Sequence, residues 1–226
     1  MELTYPKQGA TTQAPDRLNG WYVYAVLCIA GMAAYFVQTN WVLTQEVYYN
    51  TLGEQMTYER IKDYLALQEK WAWLTYLFLP LILALQAFLA AFALNVGALF
   101  ADVKVPFGQL YRAVLIAMLV FAAAGLWQNG ILLFFADISA VEDLLRYDYY
   151  SLLALTRHTL PQWLWYPMGV CNVFEALFIG VLAYQLKALL QKNFAQSLGF
   201  VLASYGTGLF IWSLFMVFLQ LNYGGS

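Results

Sequence analysis

Residues 113–136 read AVLIAMLVFAAAGLWQNGILLFFA, an unbroken uncharged run. A helix that crosses a membrane needs about 20 mainly apolar residues, and this run supplies them. Working outward, no charge falls between Trp71 and Ala101, between Leu18 and Gln45, or between Asn193 and Ser226. The stretch from His158 to Leu186 is interrupted only by Glu175. Five such stretches predict an all-α integral membrane protein with five transmembrane helices, near Trp21–Leu43, Trp71–Phe100, Leu110–Ala136, Trp163–Leu189 and Leu198–Leu221.

Composition agrees. The chain is 62% hydrophobic and 11% charged, whereas a soluble domain carries about 25% charged residues. The net charge of −2 comes without a basic block, so no nucleic-acid partner is expected. Cys28 and Cys171 both lie in apolar runs and read as small packed residues, and a single histidine, His158, builds no metal centre. No metal or other cofactor is expected. Lys7 and Arg17 precede a first apolar run that is too long for a cleaved leader, so it reads as an uncleaved span. Residues 1–18 form a polar tail, and 19–226 form one membrane domain.

The two longer connections carry helical spacing of their own. In 57–69, Ile61, Tyr64, Leu65 and Gln68 fall on one face between Glu59, Arg60, Lys62 and Asp63, behind Thr57 as a candidate N-cap. In 139–155, Ser139-Ala140-Val141-Glu142 has capping-box spacing, with Val141, Leu144, Leu145 and Leu152 facing away from Glu142, Asp143, Arg146 and Asp148. Both segments read as short amphipathic interfacial helices, or as helices packed on the protein's own spans.

An internal order recurs. Trp71-Ala72-Trp73 opens the second span and Trp163-Leu164-Trp165 the fourth, followed by Pro80 and Pro167. Each of these spans ends at a short basic turn, and Phe107-Gly108-Gln109 or Phe194-Ala195-Gln196 begins the next helix. This reads as a tandem repeat of helical hairpins, 57–136 and 139–222, of the parallel kind. Chance similarity between aromatic-rich segments gives the same pattern. Trp71, Trp73, Trp163 and Trp165 are the expected interface anchors. The basic turns at Lys104 and Lys192 favour an N-terminus in the cytoplasm and a C-terminus outside, with the bacterial inner membrane as the expected residence.

Glu175 is the most informative single residue. Counted down from Trp163 it lies about 18 Å along one continuous helix, near the middle of a ~30 Å hydrocarbon layer. Asn172 is one turn earlier and in reach of it. With Gln38, Gln128 and Asn129, these two are the intramembrane polar candidates, read either as a solute or proton site or as helix-to-helix adhesion. No catalytic template is present: the sequence holds no His-Glu-x-x-His, Gly-x-Ser-x-Gly or Walker pattern, and no enzyme activity is expected.

Gly97-Ala98-Leu99-Phe100, followed by Phe107-Gly108-Gln109-Leu110-Tyr111-Arg112, resembles the Yip (Ypt-interacting) class of five-span membrane proteins. It is also similar to uncharacterised bacterial membrane proteins of that layout. The resemblance covers the second and third spans best and implies a helical membrane adaptor. The expected function is therefore a non-enzymatic adaptor or accessory subunit of a larger membrane assembly, in transport or secretion. A small-solute or ion transporter using Glu175, or a lipid-handling protein, are the alternatives. The expected partners are the lipid bilayer and other membrane-protein subunits.

Overall fold

The computed structural model describes residues 19–53, 56–136, 138, 141, 144, 150–156 and 159–223. The polar tail 1–18, the charged face of 139–155 and His158 lie outside the described residues. Among the described residues, every regular element is helical, and five helices are long and apolar enough to cross a membrane. This is the architecture of an integral membrane protein.

The first span is α1 (Gly20–Val37), capped by Asn19 and continued by a π-helical turn over Gln38–Val42. A short helix that periodicity did not reveal, α2 (Gln45–Leu52), follows. Next comes α3 (Tyr58–Phe100), a single helix of 43 residues. The segment 57–69 is therefore not a separate interfacial helix. It forms the first turns of α3, with Thr57 at the N-cap position. The reason is local: between Tyr58 and Leu79 there is no glycine or proline to stop propagation. Pro80 is accommodated inside the helix. The carbonyl of Pro80 accepts a 2.8 Å hydrogen bond from the Tyr24 hydroxyl on α1.

α4 (Phe107–Phe135) is the central rod. α1 packs along it on one side and α7 (Val173–Leu190) on another, while α3 pairs with it as a hairpin. Its small residues Ala113, Ala117 and Ala124 are buried, which lets neighbouring backbones approach. The buried core joins Leu94 of α3, Leu110 and Val114 of α4, and Phe178, Leu182 and Leu186 of α7.

The predicted fourth span, Trp163–Leu189, is not one helix. It divides into α6 (Trp165–Val170) and α7, with Cys171 and Asn172 between them. Pro167 occupies the first turn of α6, where its missing N–H costs nothing, so it does not kink a long helix. The fifth span is α8 (Phe194–Val201) and α9 (Thr207–Tyr223), joined by a π-helical turn over Leu202–Gly206. Of the second connection, α5 (Leu152–Thr156) is described, and it packs on α6.

The two hairpins close alike but do not match throughout. α3 and α7 both end with a left-handed residue, Asp102 at φ 50° and Gln191 at φ 53°. In both, an N–H bonds a carbonyl five residues back, Val103 to Ala98 and Lys192 to Lys187. The following helices differ at their caps. Asn193 and Gln196 form a reciprocal capping box, whereas Pro106 caps α4 without a side-chain bond. The proposed repeat units also part where α3 runs continuous and its counterpart is broken.

Close approach is tightest where α3 meets the π turn of the last span. A Cβ built on Gly97 would lie 2.3 Å from Cβ of Ser204. Gly97→Ala should thus destabilise the fold by about 1–3 kcal/mol through overpacking, read as a lower unfolding temperature in detergent. Adding Ser204→Gly should recover most of that loss; a double variant no better than Gly97→Ala would place the strain elsewhere.

Candidate functional site

The break in the fourth span organises the polar chemistry of the bundle. Asn172 has extended backbone angles, φ −130° and ψ 166°, and its side chain bridges both half-helices. Its Oδ1 accepts from the Glu175 backbone N–H at 2.8 Å, and its Nδ2 donates to the Gly169 carbonyl at 3.1 Å. The unwound backbone is paired by the connection that precedes α5. Leu152 N–H donates to the Cys171 carbonyl, and Val173 N–H donates to the Tyr150 carbonyl, both at 3.0 Å. Trp127 of α4 holds this strap through its indole N–H, 3.1 Å from the Tyr150 hydroxyl, and the Tyr150 ring packs 5.2 Å from Phe174.

Glu175 therefore stands in the first turn of α7 rather than midway along one continuous helix. A carboxylate there is favoured by the N-terminal end of the helix dipole. Asn172 binds its backbone and not its carboxyl group. The carboxyl Oε1 accepts a 2.8 Å hydrogen bond from Tyr205 in the π turn of the last span. Tyr205 lies about 17 Å along a rod about 43 Å long, at 1.5 Å per residue. The break and its carboxyl group thus sit level with the middle of that rod, among Phe178 and Phe121, whose rings stack at 5.0 Å.

The other polar candidates are placed separately. Asn129 on α4 is buried and donates from Nδ2 to the Ala34 carbonyl of α1 at 2.9 Å. Gln38 begins the π turn that ends α1, where its carbonyl accepts from Leu43 N–H at 2.8 Å. Gln128 is half-buried on α4. Asn129 is thus committed to α1 and Glu175 to the last span, with α4 packed between α1 and α7. Several polar side chains instead serve their own helix. Thr39, Asn40, Ser204 and Thr207 each donate to a carbonyl four residues earlier, taking up acceptors at or beside the π turns.

Trp71, Trp73 and Trp163 are exposed, as interface anchors would be, while Trp165 is half-buried with its indole N–H 3.3 Å from the Leu160 carbonyl. No group of three or more His, Cys, Asp or Glu side chains among the described residues is placed to hold a metal.

A second feature escaped the sequence reading. Between the end of α1, α2 and the first turns of α3 lies a cleft of about 760 Å³. Tyr48, Tyr49, Tyr58, Gln68, Lys62 and Glu69 are among its walls. Tyr49 and Tyr58 stack at 4.8 Å with 12° between planes, and Gln68 Nε2 donates to the Tyr48 hydroxyl at 3.2 Å. A side-chain hydrogen bond with Tyr58 raises the Tyr49 hydroxyl pKa above its ordinary value. The signal was present as Tyr48-Tyr49 and Tyr58 flanking a short polar connection, but only the fold brings them together. A smaller groove of about 450 Å³ between α3 and α4, lined by Leu81, Leu85 and Phe107, is apolar.

Asn172→Ala should cost about 1 kcal/mol as a lost cap and loosen the strap. Hydrogen exchange at Leu152 and Val173 should then quicken while α4 stays protected; unchanged exchange would show that the strap holds without the cap. Tyr205→Phe should cost about 1–3 kcal/mol by stripping a half-buried acceptor of its donor. The further change Glu175→Leu should restore part of that loss, measured by thermal unfolding in detergent.

No family model, curated protein or solved structure matches the chain.

Proposed function

We propose that this protein is a non-enzymatic membrane adaptor or accessory subunit of a larger assembly, with transport or secretion as its setting. The observation that carries this reading is the length of α3. Its 43 residues rise about 65 Å at 1.5 Å each, roughly twice a ~30 Å hydrocarbon layer. The turns before Trp71 therefore stand about 20 Å clear of the apolar span. One face of this projection turns toward α2 and the cleft. The opposite face carries Arg60, Asp63, Tyr64, Leu67 and Lys70, all exposed. Tyr64 and Leu67 are apolar anchors ringed by charge, a pattern that suits a protein partner. In the N-terminus-inside orientation this head lies on the outer side of the inner membrane. The resemblance to the Yip class points to the same kind of role.

Transport through Glu175 has weaker support. A discontinuous helix is a recurring device of transporters, and the break favours that reading. The carboxyl group, however, is engaged by Tyr205, the break is filled by the chain's own strap, and neither of the two cavities described above includes Glu175.

Mild extraction followed by mass spectrometry is the direct test. The adaptor reading expects the same membrane-protein partner at a constant ratio, lost in Leu67→Arg while the unfolding temperature of the chain itself is unchanged. A lone monomer that retains full cellular function overturns it.

A further inference from the structure

We infer that the cleft beside the head of α3 is a binding site for the neutral saccharide headgroup of a membrane glycolipid. The inference is independent of the adaptor reading, because it concerns the opposite face of the same helix.

Placement comes first. Along α3 the cleft is lined from Tyr58 to Tyr76, a distance of about 27 Å. That range passes the level of Trp71 and Trp73, the expected interface anchors. Its lower end, at Tyr35, Phe36 and Tyr76, belongs to the apolar spans, while its upper end, at Tyr48, Tyr49 and Tyr58, stands among polar residues. A ligand that fills both ends must itself be apolar at one end and polar at the other. The volume of about 760 Å³ falls within the ~300–1,000 Å³ usual for small-molecule sites.

Chemistry then selects the head. The polar wall is built from amides and hydroxyls, including Gln45, Gln68 and Thr44, beside Thr39 and Asn40, whose donors serve their own helix. These groups donate and accept together, which matches sugar hydroxyls that do both. Tyrosine rings offer flat faces with partial negative charge, against which the C–H face of a pyranose packs. Lys62 and Glu69 line the same cleft and cancel in charge, so neither an anionic phosphate nor a cationic head is favoured by net field. A phospholipid headgroup would leave most of the amide wall unused. A sugar ring uses it.

The test uses the full chain in nanodiscs of synthetic phosphatidylcholine. Diglucosyl diacylglycerol, phosphatidylglycerol or phosphatidylethanolamine is added at equal mole fraction, and retained lipid is read by native mass spectrometry. The glycolipid should be retained about tenfold over either phospholipid, a difference of about 1.4 kcal/mol. Tyr58→Ala and Gln68→Ala should each remove most of this preference. Leu67→Ala, on the opposite face of α3, should preserve it. Far-UV circular dichroism and the unfolding temperature without glycolipid keep a folding defect from being read as lost binding. Equal retention of phosphatidylglycerol or phosphatidylethanolamine, or full preference in both cleft variants, overturns the assignment. Soluble maltotriose competing as well as a maltoside detergent overturns the lipid-linked part, because a free sugar gains nothing from the apolar end.

Discussion

Inside a hydrocarbon layer there is no water to bond a free N–H or C=O, so every backbone group must find its partner within the protein. The break at Cys171 and Asn172 is where this constraint bears hardest on the structure. Unwinding a helix inside the apolar bundle leaves groups that the helix would otherwise have paired. Here the Cys171 carbonyl and the Val173 N–H are met by Leu152 and Tyr150, and Asn172 closes both half-helices with one side chain. The second connection is thereby drawn against the spans at its Tyr150–Leu152 end. Trp127, Tyr150 and Phe174 form the wedge that holds it there. The arrangement resembles the irregular backbone of transporters in form, and here the freed groups are paired by the chain's own strap.

The same constraint accounts for the π turns. An extra residue in a helix shifts the backbone pairing from i+4 to i+5 and can leave carbonyls underused. Both π turns occur where Thr, Asn or Ser is at hand to donate back to its own helix. In the last span the turn also aims Tyr205 at Glu175 and brings Ser204 against Gly97. One local irregularity therefore serves two contacts, a polar bond to α7 and a close approach to α3. That dual role explains why the tightest glycine contact and the intramembrane carboxyl group fall beside the same turn.

What the sequence made legible follows from which signals are one-dimensional. Five apolar stretches announce five spans because the length and absence of charge are properties of a segment alone. The junctions were not so readable. The spacing of Ile61, Leu65 and Gln68 is the same whether the helix lies on a membrane surface or continues a span, and only the lack of a breaker before Pro80 distinguishes them. Asn172-Val173-Phe174-Glu175 carries N-cap spacing, yet within an apolar run it reads as continuing helix. Asn193-Phe194-Ala195-Gln196, after a basic turn, is the same signal in an easier place. α2 is only eight residues long, too short for periodicity to stand out.

The polar candidates show the limit most clearly. Composition placed Gln38, Gln128, Asn129, Asn172 and Glu175 together as residues that water would want and lipid would not. It could not say which helix each one faces, because that depends on the rotation of every span about its axis. Rotation is set by the small residues of α4 and by contacts such as Tyr24 with Pro80, which are long-range. Asn129 consequently serves the α1 contact and Glu175 the α8–α9 contact, on separate elements of the bundle. The cleft at the head of α3 has the same origin: its walls come from the end of α1, from α2 and from α3, and a continuous α3 is what sets Tyr58 against Tyr49 of α2. A reading that starts this helix at Trp71 loses the cleft and the projecting head together.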